Sequence, residues 1–163
     1  MHELPFEVAA GSVAGREHVR AGRNNQDAYF ARASEEGLVA VVTDGCGSGA
    51  RSELGAQLGA RRVVEGALSL LGQEVPVDSP VFLPRLGDDV LRFLRALAGG
   101  FGAEFLGECL LFTVVGAVVT PEHTLVFSAG DGLWALNGEV HRLGPYPGNA
   151  PPYLAHGLVK PGS

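Results

Sequence analysis

The segment over residues 38–49 constrains the fold of this chain most strongly. A short apolar run, residues 38–43, ends in Asp44, and a glycine-rich stretch follows the acid. The length of the run, its β-branched residues and the glycines after it predict a buried strand that stops near Asp44. Glycines beside an acid let a ligand approach the backbone closely, because they have no Cβ. Two interpretations follow: a tight turn with a solvated carboxylate, or a site for a metal ion or a phosphate group.

Strands are predicted on both sides of a helical region. In chain order, the apolar patterns and turn residues predict a strand at 6–10, a loop at 15–25, a hairpin of 28–33 and 38–43, helices at 52–71 and 85–97, a link at 101–108, and strands at 109–119, 124–128, 133–136 and 139–143. The first helix presents an apolar face that includes Leu54, Leu58 and Val63. This order favours a layered α+β domain over alternating βαβ units.

Composition narrows the class of protein. A chain of 163 residues with 46% hydrophobic content suits one domain with a real core. Its net charge of −6 argues against a general nucleic-acid surface. No apolar run approaches the roughly 18 residues of a membrane span, and the first residues do not have the pattern of a signal peptide. We therefore expect a cytoplasmic protein without membrane or nucleic-acid partners.

Cysteine and histidine spacings do not indicate a zinc or redox site. The two cysteines, Cys46 and Cys109, do not form a CxxC pair, and the five histidines do not form an HExxH pattern. Cys46 is interpreted as a small filler residue of the glycine-rich loop.

Three acids stand beside glycine or amide residues at predicted strand ends. Asp27 follows Asn25 and Gln26, Asp44 precedes Gly45, and Asp131 lies between two glycines. Mg²⁺ and Mn²⁺ prefer oxygen ligands and tolerate several waters, so a few carboxylates and one carbonyl can hold them. The three acids therefore suggest a site for a hard divalent cation.

The sequence resembles the PP2C-type metal-dependent serine/threonine protein phosphatases, and most closely a bacterial branch of them. Motifs in the family's order carry the resemblance: Asn-Gln-Asp-Ala at 25–28, Thr-Asp-Gly-Cys-Gly-Ser at 43–48, Arg-Ser-Glu-Leu-Gly-Ala at 51–56, Gly-Asp-Gly at 130–132 and Asn-Ala-Pro-Pro-Tyr-Leu at 149–154. The resemblance implies a single PP2C-like domain over 1–163, with two packed antiparallel sheets flanked by helices. It also implies hydrolysis of phosphoserine and phosphothreonine in proteins, with substrates that a serine/threonine kinase has phosphorylated.

The resemblance also implies roles for individual residues. Asp44 corresponds to a carboxylate that bridges two Mg²⁺ or Mn²⁺ ions, and the Gly45 carbonyl to a ligand of one ion. Asp27 corresponds to a residue that holds a metal-bound water, and Asp131 to the acid of the family's Gly-Asp motif near the metals. Arg23 and Arg20 are candidates for gripping the phosphate, and His18 is an alternative for a related role.

Two departures from the family pattern matter. The family supplies two further metal-binding aspartates from its C-terminal part, but no aspartate follows Asp131 here. The arginine that grips phosphate is also not at the usual spacing before Asp27. The chain is then either the N-terminal portion of a longer phosphatase or a variant with a depleted site. We expect activity in the full-length context and weak or no activity from these 163 residues alone.

Two other functions compete with catalysis. A non-catalytic pseudophosphatase that acts as a binding module is consistent with the missing aspartates. A dinucleotide-binding domain is the second, because residues 45–50 fit the pattern G-x-G-x-x-A between a strand and a helix. Asp44 argues against the dinucleotide alternative, since a carboxylate there would face the pyrophosphate.

Overall fold

The computed structural model describes residues 6–158, apart from the side chains of residues 103 and 149. Its helices and strands are, in chain order, α1 (Arg16–Arg20), β1 (Asp27–Ala33), β2 (Leu38–Gly45), α2 (Ser52–Gly72), α3 (Phe82–Phe101), α4 (Ala103–Cys109), β3 (Phe112–Val119), β4 (Thr124–Ala129), β5 (Gly132–Leu136) and β6 (Glu139–Leu143). Two short 3₁₀ turns, Pro147–Asn149 and Leu154–Leu158, follow. Among the described residues, none of the helices combines the length and apolar character needed to cross a membrane.

Two antiparallel sheets and the helices form the α+β fold that the sequence predicts. The larger sheet has the order β1-β2-β3-β4, and the smaller one pairs β5 with β6. The two sheets meet where β5 lies against β3. Helix α2 packs on β1 and β2, and α3 packs on α2. The largest fully buried side chains of the core between sheet and helices are Val39, Val64, Phe82, Val90, Leu94, Leu110, Phe112 and Val118.

The face of α2 that packs on the sheet consists of small residues. Gly55, Ala56, Gly59 and Ala60 are all buried, whereas Leu54 and Leu58 are each 40% exposed, so the prediction that these leucines line the core face is wrong. A Cβ on Gly59 would overlap the ring of Phe112. The helix can therefore approach the sheet closely only where its residues have little or no side chain.

Replacement of Gly59 by alanine is expected to destabilise the fold by about 1–3 kcal/mol, because the added methyl overpacks the contact with Phe112. The matched control is Gly87→Ala in α3, where an added Cβ meets no atom within 4 Å. There the higher helix propensity of alanine should leave stability unchanged or raise it by up to about 1 kcal/mol. Urea unfolding of both variants checks this, and equal stabilities would contradict the close packing of α2.

Three local predictions differ from the structure. Residues 6–10 do not form a strand. Instead, Val8, Ala9 and Ala10 are exposed and line an open apolar cavity together with Tyr29 and Val42. The predicted loop 15–25 contains the short helix α1, and the predicted link 101–108 contains α4. Gly102, at φ +88°, separates α3 from α4, which explains why the glycines there indicated a link rather than a second helix.

Candidate functional site

Asp27 and Asp44 face each other across two neighbouring strands. Asp27 begins β1 and lies opposite Asp44 near the end of β2, and Asp44 in turn lies opposite Thr113 of β3. The hydroxyl of Thr43 donates to the Ala56 carbonyl of α2 at 3.0 Å, which ties β2 to the helix directly before Asp44. Because side chains alternate along a strand, Thr43 points to the core and Asp44 to the opposite face.

Asp131 joins these two acids from the turn between β4 and β5. Gly130 before it has φ +98°, and a Cβ there would come within 2.6 Å of the Thr113 side chain. The hydroxyl of Tyr146 donates to the Gly130 carbonyl at 3.5 Å. The turn can therefore lie against β3 only with glycine at this position, and this contact brings Asp131 to the end of the sheet that holds Asp44.

Two cavities share the same acidic wall. The larger, of about 390 Å³, is lined by Ser12, Asp27, Tyr29 and other residues together with Asp44, Thr113 and Asp131. The smaller, of about 80 Å³, has Gly45, Cys46, Pro151 and Tyr153 among its lining residues and shares Asp44, Thr113 and Asp131 with the larger. Asp44 thus borders both spaces, and the sequence-predicted acids are brought together in one cleft.

The Asp44 carboxylate lies in an environment that disfavours its negative charge. Partial burial, the charge and hydrogen bonding of Asp27 and the charge of Asp131 together raise its pKa to about 6. His18 acts in the opposite direction, since its positive charge favours the ionised carboxylate. A cation placed between these acids would remove the repulsion that raises this pKa.

The metal-free chain should lose stability as the pH rises through about 6. A raised pKa means that the folded chain holds this proton more tightly than the unfolded chain, so stability present at low pH is lost as Asp44 ionises. Asp44→Asn has no proton to lose at this position and should melt at a higher temperature than wild type, with a difference that grows from about pH 4 to about pH 6 and levels off above that. Thermal unfolding in EDTA measures this difference, and a difference independent of pH would contradict the assigned electrostatics.

The glycine-rich loop after Asp44 uses its backbone amides within the protein. Five successive or nearly successive N–H groups donate to protein acceptors: Gly45 to Gln26 O, Cys46 to Leu111 O, Gly49 to Cys46 O, Ala50 to Glu108 Oε2 and Arg51 to Glu108 O. A dinucleotide loop needs such amides free for the pyrophosphate. The strands beside the loop are also antiparallel, whereas that fold requires parallel ones. The dinucleotide-binding alternative therefore has no structural support here.

The three basic candidates lie in different surroundings. Arg23 Nη1 donates to the Gly47 carbonyl at 3.2 Å and so contacts the loop that follows Asp44. Arg20 forms an exposed ion pair with Glu17 at 3.0 Å on α1. His18 lies close enough to Asp44 for its charge to affect that carboxylate. Arg23 therefore contacts the loop after Asp44 and the charge of His18 acts on Asp44 itself, whereas Arg20 pairs with a residue of its own helix.

The donors at this site fit a hard divalent cation in their chemistry. In residues 6–158, no group of three or more His, Cys, Asp and Glu side chains is close enough to hold a metal ion as it stands. Mg²⁺, however, keeps several waters and is commonly bound through only one or two carboxylates. Asp27 and Asp44 meet this requirement, because they lie opposite each other on neighbouring strands and line the same cavity.

The structure adds Thr113 and Tyr153 to the site. Thr113 is 5% exposed and borders both cavities. Burial and a hydrogen bond with Cys46 raise the pKa of Tyr153, so its phenol stays protonated beside the acids. Tyr153 belongs to the Pro-Pro-Tyr-Leu motif, which is a signal that could have identified it. Thr113 lies inside an apolar run, and only its pairing with Asp44 distinguishes it.

The fold and the site together define an α+β domain with a carboxylate-lined cleft where antiparallel strands end. The family model of protein phosphatase 2C matches residues 14–148. The chain belongs to the protein phosphatase 2C family, which confirms the resemblance at the level of the family, while the bacterial branch stays a prediction. No curated protein and no solved structure matches the chain.

Proposed function

We propose that this domain hydrolyses phosphoserine and phosphothreonine in cytoplasmic phosphoproteins that a serine/threonine kinase has modified, with Mg²⁺ or Mn²⁺ held at the acidic cleft. The single observation that supports this most is the direct pairing of Asp27 with Asp44 across β1 and β2, with Asp131 on the same cleft. Asp44, the Gly45 carbonyl and Asp27 would hold two ions between them, with Asp131 nearby. Membership of the protein phosphatase 2C family agrees with this chemistry.

The residues of the chain have separate tasks in this proposal. When bound, the ions supply a nucleophilic water at neutral pH and neutralise charge on the phosphoryl group. Asp44 must first lose its proton, so its raised pKa makes ion binding weaker below about pH 6. Arg23, which contacts the loop after Asp44, and His18, whose charge acts on Asp44, would orient the phosphate, with Arg20 as a further candidate. Tyr153 offers a protonated phenol at the smaller cavity, and it would donate to a phosphate oxygen by exchanging its hydrogen bond with Cys46 for one with the phosphate.

Hydrolysis of a phosphothreonine peptide by the chain tests the proposal. Phosphate release is followed with Mn²⁺ and with EDTA, at enzyme concentrations high enough to detect weak turnover. We expect release that depends on Mn²⁺ and stops in EDTA. Release that EDTA does not affect would contradict a metal-dependent mechanism.

A second candidate function is a pseudophosphatase that binds phosphoproteins without hydrolysing them. It is favoured by the finding that, over residues 6–158, His, Cys, Asp and Glu side chains do not gather in a ready-made group of three around a metal position. Fluorescence anisotropy with a labelled phosphothreonine peptide distinguishes the two functions. Saturable binding without phosphate release in Mn²⁺ would support the binding module, whereas release of phosphate supports the enzyme.

A further inference from the structure

Gln26 connects both ends of the loop that follows Asp44. Its side chain is buried, at 4% exposure, and it directly precedes Asp27. Its backbone carbonyl accepts the N–H of Gly45 at 3.1 Å, and its Nε2 donates to the carbonyl of Gly49 at 3.1 Å. One residue is therefore hydrogen-bonded to the first and the last residue of the loop 45–49.

The residues before Gln26 reinforce these contacts. Arg23 donates to the Gly47 carbonyl, in the middle of the same loop. Asn24 Nδ2 donates to Glu53 Oε1 at 3.0 Å, and Glu53 is 8% exposed in the first turn of α2. The segment 23–26 thus holds both the loop and the start of the helix behind it, and the next residue in the chain is Asp27.

The buried amide of Gln26 is retained at an energetic cost. Its Oε1 is buried and accepts no hydrogen bond from the described residues. Buried polar groups are normally paired, and an apolar side chain of similar size would fill the same space without this penalty. Packing alone therefore does not account for a glutamine at this position. What the amide adds is the hydrogen bond from Nε2 to the Gly49 carbonyl.

We propose that Gln26 is a positioning residue that holds the loop 45–49 closed, so that the Asp44 carboxylate and the Gly45 carbonyl stay next to Asp27. The inference rests on the proposed function, because a bound cation is what makes use of these oxygens. A site held in place before binding loses less conformational freedom when the ion arrives. Loss of the hydrogen bond between Gln26 and Gly49 should therefore lower the ion affinity.

The experiment compares Gln26→Met with Gln73→Met. Methionine has similar length but cannot donate to Gly49. Gln73 is the matched control, since it is exposed at the end of α2 and its Nε2 bonds Ser69 Oγ at 3.1 Å. Hydrogen–deuterium exchange of residues 45–50 is measured on the metal-free chain, and Mn²⁺ affinity is measured by electron paramagnetic resonance of the free ion. If Gln26→Met does not fold, Gln26→Asn replaces it, because its amide is too short to reach Gly49.

We expect Gln26→Met to accelerate exchange in the loop by about tenfold relative to the core strands, and to weaken Mn²⁺ binding by about tenfold. Gln73→Met should change neither quantity. Loop exchange equal to wild type, or faster only in proportion to every other segment, would overturn the inference. Mn²⁺ affinity unchanged beside a loosened loop would also overturn it. A wild-type chain that does not bind Mn²⁺ would contradict the proposed function. The exchange data on metal-free protein would still decide whether Gln26 holds the loop 45–49 closed.

Discussion

Asp44→Asn is expected to reduce Mn²⁺-dependent phosphate release to background, a loss of at least about 100-fold. Residues that only support a metal ligand already change affinity or activity by 10–100-fold, and Asp44 is assigned as the ligand itself. Asparagine keeps the shape of the side chain but removes the negative charge that would hold the ions. Because Asp44 borders both cavities, this one substitution affects the whole cleft.

The loss at Asp44 must be separated from a loss of folding. The metal-free variant should be at least as stable as wild type at neutral pH, since it lacks the repulsion from Asp27 and Asp131. Asp88→Asn is the matched control, because Asp88 is exposed on α3. Steady-state phosphate release is measured for wild type, Asp44→Asn and Asp88→Asn. A folded Asp44→Asn chain with the turnover of wild type would show that the assignment is wrong.

Gly45→Ala is expected to disrupt the site nearly as strongly. A Cβ on Gly45 would lie 2.7 Å from Ser52 Oγ and 2.9 Å from the carbonyl oxygens of Gln26 and Ser52. Two of these atoms belong to the backbone and cannot rotate away, so the loop itself must move. We expect the fold to lose about 1–3 kcal/mol. The Mn²⁺ affinity should fall by about 10–100-fold as the Gly45 carbonyl is displaced.

Gly47→Ala tests the same substitution two residues further along the loop. A Cβ on Gly47 meets no atom within 4 Å. Its effect on the free energy of unfolding should stay within about 0.5 kcal/mol. Chemical unfolding together with Mn²⁺ titration compares the two variants. If Gly47→Ala damages the site as much as Gly45→Ala, the close packing of Gly45 against α2 is not what positions the loop.

Much of the fold could be predicted because its signals are local. The hairpin of β1 and β2 follows from two apolar runs around a turn, and Asn137-Gly138 predicts the β5–β6 hairpin. Both residues of this turn have positive φ, at 52° and 85°. The small-residue face of α2 could not be predicted, since Leu54 and Leu58 satisfy the helical pattern equally well. Only the close approach of the helix to Phe112 decides which face is buried.

The sequence indicated the acidic residues of the candidate site, but it did not indicate the contacts that surround them. The motifs indicated Asp27, Asp44 and Asp131, and the structure places all three on one cleft. The hydrogen bonds that hold the loop involve Gln26, Glu108 and Leu111, which lie some distance along the chain from Asp44 on either side. Such contacts depend on the tertiary fold, so a local pattern such as G-x-G-x-x-A could not show that the loop amides are already used.

Binding of Mn²⁺ to the folded chain tests the central claim most directly, because it does not depend on the substrate or on the rate of turnover. The free ion is followed by electron paramagnetic resonance during titration of wild type and Asp44→Asn at about pH 7.5, above the raised pKa of Asp44. The account predicts saturable binding by wild type that is at least about 100-fold weaker in Asp44→Asn. Equal affinities for the two proteins, or no binding by a folded wild-type chain, would contradict a metal site centred on Asp44.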